Sequence, residues 1–391
     1  MDFAFSDEQL AVAETATGLL GGLVDPERVM TAELSTDAVD RDLWRALAGA
    51  DLLGLGVPEA YGGAGGGMTE LSLLLQAQGN VVAPVPLWAT LVLGALPLAR
   101  FGSEDQKERW LPGVVSGEHM LSAAVTGAAQ SGRGLPTITA TVEGGGWVLD
   151  GTELAVPQAH LAALIIVPAR TSDDDVVLTL LDPAAPGVSL ERTVTTNREI
   201  HPHLHLDGVA IGPDDVLAGP DAGLAALGEL LVAATIGLCA LQVGVCESAL
   251  RQTADYLNTR QQFGRPLSTF QGTMLRAADA AIDIEAMRVT ALFAAWCFDT
   301  GRDALDAARV AKWQASERGQ RTVHATQHLH GGMGADITYP IHRYFLWGKQ
   351  IELLLGGPSR QLSLLGERIA ARALADAAAQ AEAAAAPGAG R

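Results

Sequence analysis

Two long stretches of helical periodicity meet at residues 260–271, RQQFGRPLSTFQ, and this break constrains the fold more than any other feature of the sequence. Upstream, Leu227, Leu230, Leu231, Ala234, Leu238, Leu241, Val245 and Ala249 recur at three- and four-residue steps, the mark of one long helix with a buried face. Downstream a second helical run goes from Thr273 to Thr300. Between them Gly264 supplies backbone angles other residues avoid, and Pro266 cannot continue a helix. Arg260 leaves the first helix as a fork of donors suited to a pyrophosphate. Phe263 offers a flat apolar face, and Gln271 an amide that both gives and accepts hydrogen bonds.

Acidic residues outnumber lysine plus arginine by 45 to 26, a formal charge of −19. Such a chain lacks the cation excess that displaces counterions from nucleic acid, and it does not suit an anionic lipid surface. An anionic ligand must therefore meet a local basic pocket. The three cysteines, Cys239, Cys246 and Cys297, sit in apolar helical runs, which predicts buried thiols in a reducing compartment. No signal pattern opens the chain and no apolar run is read as membrane-spanning, so a soluble cytoplasmic protein is expected.

The pattern predicts an α+β chain: helices over 1–118, a β-domain over 119–218, a four-helix bundle over 219–370, and an alanine-rich tail over 371–391 that continues a helix briefly and then frays. Ser6 and Gln9 form a capping box, and a second helix starts at Asp40 and carries Leu43, Trp44 and Leu47. The glycine-dense stretch at 54–68 reads as a wrapping loop. Ile138, Ala140 and Val142 lead through Gly144 to Trp147 and Leu149 as a hairpin, and 163–169 and 176–182 read as buried strands. Strand alternation puts His201, His203 and His205 on one face. With no carboxylate nearby to orient them, a solvated face is expected rather than a metal site. The bundle helices are expected at about 222–258, 267–300, 303–328 and 340–355. Between the last two, Gly331, Gly332 and Gly334 permit close approach by a ligand.

RQQFGRPLSTFQ resembles the acyl-CoA dehydrogenase family, FAD enzymes that introduce a 2,3-double bond into acyl-CoA thioesters. LWRALAGADLLGLGVPEAYGGAG, FGSEDQKERWLPGVVSGE and HLHGGMGADITYPIHRYF extend the resemblance to about residues 3–370. It implies that Arg260, Phe263 and Gln271 hold the ADP half of FAD across a subunit interface, joined by the backbone at Gly331 and Gly332. His328 stands where the family places a glutamine, and an imidazole still donates to an oxygen. Thr126 is the one flavin contact retained in the β-domain segment AVTGAAQSGRG.

The proton-abstracting glutamate of the family has two usual places, and here they are Gly356 and Ala234. Pro358 replaces a flavin-contacting threonine, and Ala155, Val156 and Pro157 replace the segment that covers the flavin ring, with Glu153 just before them. Glu229, Glu247 and Glu352 are the carboxylates a relocated base would draw on. The resemblance is strongest to the base-lacking subunit of actinobacterial α2β2 acyl-CoA dehydrogenases that shorten steroid side chains. It implies a bulky acyl-CoA substrate and a paralogous partner that brings the base. Two other readings are a homo-oligomeric flavoenzyme with a relocated base or monooxygenase chemistry, and a non-catalytic acyl-CoA-binding scaffold.

Overall fold

The computed structural model describes residues 4–131 and 134–385; the expected tail end at 386–391, and Gly132 and Arg133 in the segment after Thr126, lie outside the described residues. Helix α1 (Asp7–Leu23) opens on the expected capping box. Gln9 N donates to Ser6 Oγ at 3.2 Å, and Ser6 N donates to Gln9 Oε1 at 3.1 Å. Helix α2 (Pro26–Glu33) was not read from the sequence, although Asp25 caps Arg28 N at 2.8 Å and Pro26 occupies the first position. Helices α3 (Arg41–Gly49), α4 (Met68–Val81), α5 (Leu96–Phe101) and α6 (Glu104–Val115) follow, with a π-helical segment Trp88–Ala95 ahead of α5.

Strand β1 (Leu121–Ala123) leads into the short helix α7 (Thr126–Gln130). The hairpin forms as expected from β2 (Thr139–Glu143) and β3 (Gly146–Glu153), with Val142 opposite Trp147. Strands β4 (Leu164–Arg170) and β5 (Val176–Leu181) are the apolar runs, buried along almost their whole length. With β6 (Val188–Glu191), β7 (His203–Ile211) and β8 (Val216–Ala218), the order is β6-β7-β3-β2-β4-β5-β8, and β1 lies parallel to β4.

The three histidines do not share a solvated face. His201 precedes β7 and is 1% exposed, with Nε2 3.2 Å from Glu199. His203 Nδ1 accepts from Ala155 N at 3.0 Å, and His205 meets Thr152 Oγ1 at 3.0 Å and Glu191 at 3.3 Å. Two carboxylates thus do stand beside the histidines, brought there by strand pairing and a neighbouring turn.

Helix α8 (Pro220–Thr259) is 40 residues long and is the central rod, packed on α4, β5 and the rest of the bundle. Its crossing with α4 is a backbone contact. A Cβ on Gly79 would lie 2.2 Å from Leu241 O, and one on Gly244 would lie 2.0 Å from Gln76 O. Contrary to expectation, this run is long and apolar enough to cross a membrane by length and composition. Two-thirds of its most apolar window, 67%, is buried inside the protein, and this core role accounts for its composition. The bundle continues through α9 (Gln271–Asp299), α10 (Leu305–Leu329), α11 (Ile341–Leu353) and α12 (Pro358–Ala385). The last extends the sequence reading: Pro358 starts a helix that runs through 371 as far as Ala385. All three cysteines are free and buried, as expected, and burial pushes the Cys239 thiol up to about 12.

Lys312 on α10 is fully buried, and its ammonium donates to Ser316 Oγ at 2.8 Å, Ile351 O at 2.9 Å and Glu352 O at 3.0 Å. It thereby closes the C-terminal end of α11 just before Gly356. Three acceptors favour the ammonium, but desolvation outweighs them and lowers its pKa from 10.5 to about 8. A folded-state value below the unfolded one makes the unfolded chain bind the extra proton in between, so stability rises with pH across that window. Against Lys312→Met, measured by denaturant unfolding, the wild type gains about 2 kcal/mol from pH 8 to about pH 10; a difference that stays flat refutes the assignment.

Candidate functional site

Helix α8 stops at Arg260, whose backbone N donates to Tyr256 O at 2.8 Å. The next residues form a two-residue hairpin, β9 (Gln261–Gln262) paired with β10 (Arg265–Pro266). Its turn residues, Phe263 and Gly264, have φ of 53° and 78°, the pairing of a type I′ turn. A left-handed phenylalanine costs about 1 kcal/mol. Its ring is nevertheless 91% exposed, edge-on to Phe270 at 6.2 Å, and the Arg265 guanidinium lies 4.0 Å over the Phe270 ring. Gln271 then opens α9 with its side chain exposed.

The end of α10 comes to the same place. His330, 2% exposed, stacks on Tyr256 at 4.6 Å, one turn before Arg260, and its Nδ1 is 2.9 Å from Thr326 O. The turn Gly331–Ala335 is pinned by the Gln327 amide, which donates to Gly334 O at 2.8 Å. Gly331, with φ of 60°, and Gly332 are exposed, and a Cβ on either would meet only open space. His328 is exposed, and Arg276 on α9 donates to its Nδ1 at 3.3 Å. Six of the seven predicted ligand contacts, Arg260, Phe263, Gln271, His328, Gly331 and Gly332, therefore gather at one end of the bundle. Arg265, Arg276, Tyr256 and His330 belong to the same end and were missed, because only their spatial neighbours reveal them. Among the described residues, Arg260, Arg265 and Arg276 form no ion pair with a carboxylate, in a chain of net charge −19. Exposed backbone, an exposed ring and unpaired guanidiniums are what an ADP moiety requires.

Thr126, the seventh residue, lies apart, at the start of α7. It is buried, and its hydroxyl donates to Ala155 O at 3.3 Å. Beside it, buried Glu153 accepts from Gly127 N in a short contact and from Thr137 Oγ1 at 2.6 Å, and burial raises its pKa. At the two usual base positions the backbone carbonyls are also engaged. Gly356 has φ of 93°, and a Cβ there would come 3.0 Å from Arg360 Cγ. Ala234 is fully buried, and its carbonyl accepts from Trp88 Nε1 at 3.0 Å. A cavity of about 20 Å³, lined by Gln158, Trp88, Leu238, Ile351 and Leu354, lies between the β-domain and the bundle and admits about one water molecule.

The three carboxylates a relocated base would use are engaged. Glu229 is ion-paired with Arg100, and Glu247 with Arg288 and the Gln76 amide. Glu352 is buried and takes Lys349 Nζ at 2.5 Å. Next to Gly356 an apolar cleft of about 230 Å³ runs along α8, lined by Leu224, Leu227, Leu231 and Leu355 and bordered by Arg309 and Gln361. From Ala234 to Arg260 is 26 residues of one helix, so the two ends stand about 39 Å apart.

Comparison with known proteins matches residues 6–118 to the acyl-CoA dehydrogenase N-terminal domain and residues 221–370 to the acyl-CoA dehydrogenase C-terminal domain. The acyl-CoA dehydrogenase FadE27 of Mycobacterium tuberculosis is 36% identical over 370 residues, spanning 90% of this chain and 96% of that protein. Among solved structures, the steroid ACAD Tcur3481-Tcur3483, in a variant form, is 45% identical with a TM-score of 0.87, covering 94% of this chain and 99% of that one. The ChsE4-ChsE5 complex from Mycobacterium tuberculosis is 35% identical with a TM-score of 0.88, covering 95% and 99%. Sequence and fold agree along nearly the whole length: the chain belongs to the acyl-CoA dehydrogenase family.

Proposed function

We propose that this chain is one half of a heteromeric, FAD-dependent acyl-CoA dehydrogenase, and that it holds the ADP end of a flavin whose ring and catalytic base belong to a paralogous partner. The observation that carries this reading is the opposite condition of two places along α8, its C-terminal end at Arg260 and the stretch around Ala234 with neighbouring Thr126. At Arg260 the guanidiniums are open to solvent and, among the described residues, have no carboxylate partner; at Ala234 and Thr126 the polar groups are matched within the chain. The residues at the first place fit an ADP moiety, and those at the second do not fit an isoalloxazine ring. The bound flavin would supply the hydride acceptor for 2,3-desaturation. Arg260 would hold its pyrophosphate, Phe263 would pack on its flat groups, and the backbone at Gly331 and Gly332 would approach it.

Helix α9 supports the partner. Leu275, Ile282 and Val289 follow one another at seven-residue steps and are 58%, 64% and 63% exposed, with Phe293 on the same side and Phe263 beside its start. A heptad seam of large apolar side chains is a surface built to be covered by another helix. Two similar structures are described as multi-component, Tcur3481-Tcur3483 as a steroid ACAD and ChsE4-ChsE5 as a complex. On that likeness we assign a bulky acyl-CoA of the steroid side-chain class as substrate, and with the three free thiols we place the assembly in the cytoplasm. A homomeric enzyme with a relocated base is less well supported, because Glu229, Glu247 and Glu352 are each ion-paired.

The chain purified alone is expected to be colourless, and to become yellow and active when made with a paralogue encoded beside it. In that complex Arg260→Ala lowers FAD affinity by roughly 10- to 100-fold, the worth of a charge-assisted hydrogen bond. Stoichiometric flavin in the lone chain sinks the proposal. Gly356→Glu should add no second turnover site, since φ of 93° and the close approach of Arg360 remain; a rise in active sites per complex, counted by single-turnover burst, contradicts the ring-end assignment. Ile282→Glu, at a position 64% exposed, should leave the fold intact by circular dichroism while the complex dissociates on size-exclusion chromatography.

A further inference from the structure

A guanidinium donates hydrogen bonds and accepts none, so an imidazole nitrogen that meets one must be the acceptor. Arg276 Nη1 lies 3.3 Å from His328 Nδ1. With that lone pair engaged, the proton of neutral His328 resides on Nε2. We infer that Arg276 is a positioning residue: it locks His328 in the Nε2–H form and so gives the Gly331–Gly332 turn a fixed N–H donor for an anionic ligand.

Three observations meet in this inference. His328 is exposed on the last turn of α10, three residues before Gly331, so its ring stands at the mouth of the open turn. Arg276 is exposed on the second turn of α9 and makes no ion pair among the described residues, so its guanidinium is free to serve the imidazole. The other imidazole of this segment, His330, is buried with Nδ1 against Thr326 O, and so is turned inward and not toward the ligand side. An imidazole left to itself exchanges between two tautomers, only one of which donates from Nε2. The Arg276 contact removes that ambiguity. It explains how a histidine serves at a position where a side-chain amide, with its permanent NH2 donor, is the expected residue.

The inference rests on the dinucleotide reading above, and its test separates the two. Histidine labelled with nitrogen-15 is observed in the full chain in its purified assembly, with His328→Ala used to assign the resonance, and ADP is titrated as the probe. In the wild type His328 should show the Nε2–H signature. Arg276→Met should give a tautomer mixture and weaken ADP roughly tenfold, while Arg276→Gln, which still donates, should restore most of both. In a His328→Ala background, Arg276→Met should add little further loss, because the arginine acts through the imidazole. A wild-type Nδ1–H signature overturns the inference, and so does an undiminished Arg276→Met effect when His328 is absent; both leave the dinucleotide reading standing. Absence of ADP binding by the wild type, with the Nε2–H signature present, overturns the ligand role together with that reading.

Discussion

One helix that cannot bend or shift sets the geometry of everything else. Its backbone touches that of α4 where Gly244 faces Gln76 O and Gly79 faces Leu241 O, and there is no room at that crossing for even a methyl group. Close-packed interiors have discrete arrangements and resist continuous deformation. The 26 residues between Ala234 and Arg260 are therefore a ruler of about 39 Å, longer than an extended dinucleotide. No single flavin reaches both ends within one chain. On the proposed reading the two sets of residues along this rod belong to two different sites, and their separation lets one be closed while the other stays open.

Around Ala234, Thr126 and Gly356 the polar groups are satisfied within the chain. A backbone N–H or carbonyl without a partner in the interior costs about 1–3 kcal/mol, so each such group here needs a partner from the chain itself. Here Glu153 takes Gly127 N, Trp88 takes Ala234 O, and the Gln361 amide donates to Leu355 O at 2.9 Å and Gly356 O at 3.3 Å. The Glu153 carboxyl, raised by burial, tolerates the site because Thr137 and Gly127 both donate to it. Lys312 does the same for the end of α11.

What the sequence disclosed followed from how local each cause is. The capping box at Ser6, the periodicity of α8 and the break at Gly264 and Pro266 are set by residues within a few positions of one another, and each was legible. Helix α12 was not, because Gly356, Gly357 and Pro358 look like a terminator, yet a proline also suits the first turn of a new helix. His201 was assigned to a strand face by alternation, but Glu199 and the tertiary packing of the preceding turn bury it. The apolar content of α8 was underestimated as a run because its glycines and small polar residues interrupt the count without breaking the helix. At the site, six contacts were legible as a motif. Their supporting residues, Tyr256, Arg276 and His330, were not, since they come together only when the ends of α8 and α10 meet the start of α9.

The open end follows a different rule, because a surface group without a partner is solvated and costs little. Arg260, Arg265 and Arg276, which among the described residues have no carboxylate partner, therefore carry no penalty that would have driven their replacement. Phe263 is another matter. Its φ of 53° is unfavourable for a residue with a Cβ, and its ring gains almost nothing from the chain around it at 91% exposure. Glycine or asparagine at that turn position would remove the strain at no loss to the isolated chain. The phenylalanine is thus compensated by something outside the monomer, in the same direction as the apolar seam at Leu275, Ile282 and Val289. Strain, exposed apolar surface and positive charge without a carboxylate partner among the described residues coincide at a single end of the bundle, and the proposed ligand and partner surface rests on that coincidence.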